Sequence, residues 1–170
     1  MKKLLALTFA TMLIGNIAFA QKDKSKRASP PAKTTETLNN GAVITIEYSQ
    51  PALKNRTIGK DIAPFGKVWR TGANEATSFE VSKDVTIEGK TLPAGKYGLY
   101  TIPGEKEWII IFNKAWDQWG TVYKQDLDQL RVNVKPETTE SLKERLIFEI
   151  SKNGEVSLEW GETEVEFDVK

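Results

Sequence analysis

The chain has 170 residues, 24 Lys+Arg against 23 Asp+Glu, and neither histidine nor cysteine. Those two zeros exclude an imidazole-based serine triad, a cysteine nucleophile, zinc held by Cys and His, haem ligation by His and any disulfide framework. The core must be held by packing alone, for which five Trp, seven Phe and four Tyr are available.

In chain order, the first segment reads as a targeting signal. Lys2 and Lys3 precede an apolar run at 4–14, and Ala18-Phe19-Ala20 puts small residues where a signal peptidase reads them, which predicts a signal peptide over 1–20 with cleavage after Ala20. The run falls short of the roughly 18 apolar residues of a membrane anchor and is broken by Gly15 and Asn16. No cysteine follows it to carry a lipid. The expectation is a periplasmic or secreted protein without a membrane anchor. Residues 21–37 read as a flexible basic leader, because over 21–33 five cations face Asp23 alone and nothing apolar is larger than Ala or Pro. From Thr34 onward, 22 acidic residues outnumber 17 basic ones, so no basic stripe of the nucleic-acid-binding kind is present and no nucleic acid is expected as partner.

Residues 38–170 read as one all-β domain, an antiparallel sandwich of jelly-roll type. β-branched and aromatic runs predict about nine strands, at 42–48, 77–81, 85–87, 97–102, 108–113, 130–134, 146–150, 156–160 and 163–169. Glu88-Gly89, Pro93-Ala94-Gly95, Pro103-Gly104-Glu105 and Asn153-Gly154 supply turns between them. Short helical pieces are expected around Asp61, at 116–120 and at 137–143. One hairpin can be set by parity. A two-residue turn at Asn153-Gly154 would oppose Phe148 to Glu159, whereas a three-residue loop of Lys152, Asn153 and Gly154 opposes Ile150 to Val156, Phe148 to Leu158 and Leu146 to Trp160. The second register keeps apolar with apolar and predicts a type I turn with Gly154 left-handed in a G1 bulge. In the last strand Glu162, Glu164, Glu166 and Asp168 share one face. Calcium sites draw on loops and carbonyls, so this row reads as a charged outer face and no metal is expected.

The densest unusual segment joins the first two clear strands. It holds Ser49-Gln50-Pro51, Arg56-Thr57-Ile58-Gly59, Pro64-Phe65-Gly66-Lys67-Val68 and then Trp69-Arg70-Thr71-Gly72-Ala73-Asn74-Glu75-Ala76-Thr77. With Leu92-Pro93-Ala94-Gly95-Lys96-Tyr97, Ile111-Phe112-Asn113, Trp119-Gly120 and Leu158-Glu159-Trp160, the chain resembles domain-of-unknown-function family 2911, exported proteins of Bacteroidetes type, over about 41–169. The resemblance implies a β-sandwich and an exported compartment, and no reaction. The amidotransferase name some members carry does not transfer here, since that chemistry needs a cysteine nucleophile.

Trp69, Arg70, Thr71, Asn74 and Glu75 could converge on a polar ligand, with the Arg70 fork matching a carboxylate, a phosphate or sugar hydroxyls. Alternatively Arg70 and Glu75 pair with each other and pin a long loop across one end of the sandwich. Trp116 and Trp119 could stack sugar rings, or plug the sandwich as Trp69, Trp108 and Trp160 are expected to. A glycosidase would need two carboxyls about 5–9 Å apart across one cleft; Glu75 is the catalytic candidate, with Asp61, Asp117 and Asp126 as further carboxyls. Three readings remain: a binding module for a small polar or carbohydrate ligand, a structural or interaction domain without a small-molecule site, and a carboxylate-based hydrolase. None calls for a cofactor.

Overall fold

The computed structural model describes residues 23–170; the expected signal peptide and the first two residues of the leader lie outside them. Twelve strands are present among the described residues: β1 (Pro31–Thr37), β2 (Val43–Ser49), β3 (Ile58–Gly59), β4 (Ile62–Pro64), β5 (Thr77–Val81), β6 (Val85–Ile87), β7 (Lys90–Leu92), β8 (Gly95–Ile102), β9 (Trp108–Asn113), β10 (Asp128–Val134), β11 (Pro136–Ile150) and β12 (Glu155–Asp168). An antiparallel six-stranded sheet in the order β1-β2-β5-β8-β9-β10 is faced by the long β11-β12 hairpin, with β3-β4 and β6-β7 as small pairs in the connections. The sandwich expected from strand spacing is what forms.

Period-two alternation places the core. Ile44, Ile46 and Tyr48 of β2, Phe79 and Val81 of β5 and Leu99 of β8 turn inward, as do Leu146, Phe148, Val156, Leu158 and Trp160 of the hairpin, and all join one buried cluster. Aromatic contacts tie the layers together. Tyr48 meets Phe148 edge to face at 4.9 Å, and Phe167 sits 6.1 Å from Phe79 and 5.9 Å from Phe112.

The 150–156 turn forms in the expected register. Ile150 opposes Val156 and Phe148 opposes Leu158. Gly154 N–H donates to Ser151 O at 3.0 Å, Ser151 N–H to Glu155 O at 2.9 Å, and Gly154 has φ +96°. The two last predicted strands are one continuous β12. Gly161, at φ +65°, opposes Lys143 where the pairing shifts register, and the inserted residue moves the inward set from 156, 158 and 160 to 165 and 167.

Two expectations from sequence are corrected. Residues 31–37, read as leader, form β1 and pair with β2 from Pro31↔Ser49 to Thr37↔Val43. This edge strand shows no apolar alternation, because its half-buried side carries only Ala32, Thr34 and Glu36, while its charges guard the edge. Nor are the three expected helical pieces helices. Asp61 lies between β3 and β4, 116–120 is irregular, and 137–143 belongs to β11, where Thr138 opposes Thr163 and cross-strand pairing overrides local preference.

The site is positioned by the outer face of the large sheet. Ser78, Lys96, Gly98, Tyr100 and Ile111 alternate with core residues and point away from the hairpin. Tyr100, Ile111 and Ala76 form a second, smaller buried cluster with Tyr123 packed against it. Segment 114–127 folds over this face. A Cβ on Gly98 would lie 2.7 Å from Ala115 O, so glycine is what allows the segment to approach.

Candidate functional site

Segment 69–77 is mostly consumed by the fold. Trp69 exchanges backbone hydrogen bonds with Thr101 at 2.7 and 2.9 Å, continuing the ladder beyond the end of β5, and its ring stacks on Trp160 at 5.4 Å. Thr71 is fully buried with φ +50°; its hydroxyl donates to Thr101 Oγ1 at 3.2 Å, and its carbonyl accepts from Thr77 Oγ1 at 2.8 Å. Asn74, at φ +61°, donates from Nδ2 to Ser29 O at 3.1 Å and to Ser49 Oγ at 3.2 Å. These groups satisfy a loop that crosses the end of the sheet.

Arg70 and Glu75 do not pair. With Thr71 and Asn74 both left-handed, the chain reverses between them. Arg70 lies along Gly120, where a Cβ would come within 2.4 Å of its Cδ, and its Nε points to Gly72 O at 3.4 Å. Glu75 instead takes Arg27 Nη1, at 2.7 and 3.0 Å to its two oxygens, and Lys24 Nζ at 3.1 Å. Both cations sit on the segment before β1, which crosses this end of the sheet and is tied there by Asn74 on Ser29 and by Arg145 Nη1 on Ala28 O at 3.1 Å.

Between that strap and segment 114–127 runs an open groove of about 490 Å³. Lys24, Arg27 and Glu75 line its strap side, Trp116, Asp117 and Gln118 its other side, and Glu47, Ser78 and Lys96 rise from the sheet beneath. Glu47 accepts from Lys96 at 2.9 Å and Lys33 at 3.3 Å, and Lys96 Nζ stands 4.7 Å from the Trp116 ring centre. Of the residues singled out from sequence, Glu75, Trp116 and Asp117 meet here, whereas Asp61 and Asp126 do not line the groove. Trp69, Arg70, Thr71, Asn74 and Trp119 do not line it.

The loop carrying Trp116 is pinned at both ends. Asn113, fully buried, donates to Lys124 O at 2.8 Å and Asp128 Oδ1 at 2.7 Å and accepts from Ala115 N–H at 2.9 Å. Tyr123 donates to Asp128 Oδ2 at 2.7 Å and accepts from Arg131 Nη2 at 2.7 Å. Burial first, then the Asp128 carboxylate, pushes the Tyr123 phenol up to about 12, so this pin keeps its proton across the physiological range. On the far side Ala76 N–H donates to Gln118 O and Gly120 N–H to Asn74 O, each at 3.0 Å. Trp116 and Trp119 are 39% and 51% exposed, so neither plugs the sandwich.

The family described as Protein of unknown function (DUF2911) matches residues 29–169. The chain belongs to that family. No curated protein and no solved structure matches it. The region shared with the DUF2911 family takes in β1 and all of the sandwich, while Lys24 and Arg27 precede it.

The charges of the groove fix what its groups can do. The Arg27 hydrogen bond, ahead of burial acting the other way and of Lys24, holds Glu75 down to about 2. A carboxyl so acidic is ionised at neutral pH and is a poor proton donor to a leaving group. Its stabilising contribution is complete above the unfolded value of 4.5 and is lost as pH falls through about 2. Because Glu75 is 40% exposed, screening limits that contribution to about 1 kcal/mol or less. Glu75→Gln should therefore destabilise slightly at pH 7 and flatten the loss of stability between pH 5 and pH 2, as read by denaturant titrations at each pH. Parallel curves for variant and parent would contradict the ion pair. Sequence reasoning passed over Lys24, Arg27, Lys33, Glu47 and Lys96. Lys33↔Glu47 and Glu80↔Lys96 face each other directly across strand pairs; the first signal depended on recognising β1, the second on the β5–β8 register.

Proposed function

We propose that this DUF2911-family protein is a binding module for a small polar ligand of carbohydrate type, held in the groove between the strap and segment 114–127. The observation that carries this reading is Trp116, a partly exposed indole on a braced loop, set at the edge of a groove whose polar groups include carboxylates, ammoniums, a guanidinium, hydroxyls and an amide. An aromatic face beside fixed donors and acceptors is what a sugar needs, since its C–H faces stack while its hydroxyls take hydrogen bonds. The groove's volume falls within the range of small-ligand sites, roughly 300–1,000 Å³. The acidity of Glu75 weighs against its serving as the general acid of a hydrolase, and the hydrogen bonds of Thr71 and Thr77 within the sheet end and of Asn74 to Ser29 and Ser49 give that segment a structural part.

A glycan panel screened by thermal shift tests the reading, because a ligand at 100 times its Kd adds about 2.7 kcal/mol to stability. For any saccharide that shifts the parent, Trp116→Ala should weaken binding about 5- to 30-fold, the equivalent of about 1–2 kcal/mol of lost contact. Trp119→Ala should leave it unchanged, as that ring stands outside the groove. No shift with any glycan, or equal effects at both tryptophans, would sink the proposal.

A further inference from the structure

The two sides of the groove differ in charge balance. On the sheet side, Lys33 and Lys96 share Glu47, and Lys96 also reaches Glu80 at 3.6 Å beyond the lining; with Asp117 opposite, the groove is lined by four cations, Lys24, Arg27, Lys33 and Lys96, and three carboxylates. On the strap side, Lys24 and Arg27 converge on Glu75 alone. Arg27 spends only Nη1 on that contact. The edge formed by Nε and Nη2, the part of a guanidinium that takes a carboxylate or sulfate with two parallel bonds, has no part in it. Lys24, 59% exposed, can follow an incoming anion.

Resting on the reading of the groove as a saccharide site, we infer that its ligand is an acidic oligosaccharide, whose carboxylate or sulfate is taken by Arg27 and Lys24 while a neighbouring ring lies against Trp116. Glu75 then has a definite part. It holds the two cations in place while the groove is empty and competes with the ligand's anion for them. Two cations can serve two anions, so the ligand supplies the second negative charge that the strap side lacks. The residues that read the charge precede the region shared with the family, whereas Trp116 lies inside it.

Titration calorimetry on the purified chain can separate the parts. The probes are tri-galacturonate, its fully methyl-esterified form, which keeps the rings and removes the charge, and a sulfated galactan trisaccharide. At least one anionic trisaccharide should bind about tenfold tighter than the neutral ester, as expected for one charge-assisted contact, and added salt should shrink the difference. Preference for uronate or for sulfate assigns the anion. Arg27→Gln, or Lys24→Gln should the first variant lose stability, should abolish the preference while leaving binding of the ester intact. Glu75→Gln should enlarge it severalfold by removing the competitor. Equal binding of acid and ester by the parent, or a smaller preference in Glu75→Gln, overturns the inference and leaves the groove as a neutral-sugar site. Failure of every saccharide to bind overturns the site itself.

Discussion

Gly154→Ala is expected to destabilise the domain by about 4 kcal/mol or more, a loss at the far end of what single substitutions produce. Two causes add. The residue sits at φ +96° in the bulge that closes β11 onto β12, where a Cβ costs about 1–2 kcal/mol. The Cβ itself would come 1.9 Å from Val169 O, closer than any real contact, and the obstacle is backbone. The only relief is to move the C-terminus away, which breaks the Val169 N–H bond to Gly154 O at 2.8 Å and loosens the pairing of Lys170 with Thr86. Gly89→Ala is the matched control. Gly89 has φ +75° with nothing within 4 Å of its would-be Cβ, so it isolates the conformational cost. Denaturant melts of the two variants decide the matter: a Gly154→Ala cost no larger than that of Gly89→Ala would refute the steric account.

The second large effect lies in the core. Phe167→Ala should cost about 3–5 kcal/mol and lower the midpoint of thermal unfolding by about 8–15 °C in a domain of this size. Phe167 is 3% exposed and reaches from β12 to Phe79 and Phe112 of the large sheet, which themselves meet edge to face at 5.1 Å. Removing it opens a cavity between layers that no cross-link draws together, since the chain has no cysteine. Phe65→Ala, at a ring 40% exposed, should cost under 1 kcal/mol by comparison. Similar losses at both positions, measured by calorimetry, would mean that the interlayer aromatics do not anchor the sandwich.

How much of this was legible depended on the range of the signal. β2, β5, β8 and β9 were visible because each is a run of five or more residues rich in β-branched and aromatic side chains. The 150–156 hairpin was legible down to its register, since a one-residue slip would have opposed Phe148 to Glu159. β1 was not. An edge strand needs no apolar alternation, and Pro30-Pro31 with three nearby cations looks like linker composition. Segment 137–143 misled for the converse reason, a polar stretch without strand alternation that a partner strand nonetheless draws into β11. In the site, Glu75 and Trp116 could be singled out as exposed chemistry in irregular stretches. Their neighbours could not, because Arg27 stands 48 residues from Glu75 and nothing local links them.

The amino-acid sequence by itself determined that this protein is all-β, that its core is packed without cross-links, and that Gly154 closes the last hairpin, because period-two alternation and turn chemistry act over a handful of residues. The tertiary structure alone decided which charges meet. Arg70 and Glu75, five residues apart, are turned away from each other by left-handed residues at 71 and 74, while Lys24 and Arg27 reach Glu75 only because β1 joins the sheet edge and lays the segment before it across the end of β5. Ion pairs over such separations follow from strand order and register, which are set by burial of the apolar faces and not by the charges themselves.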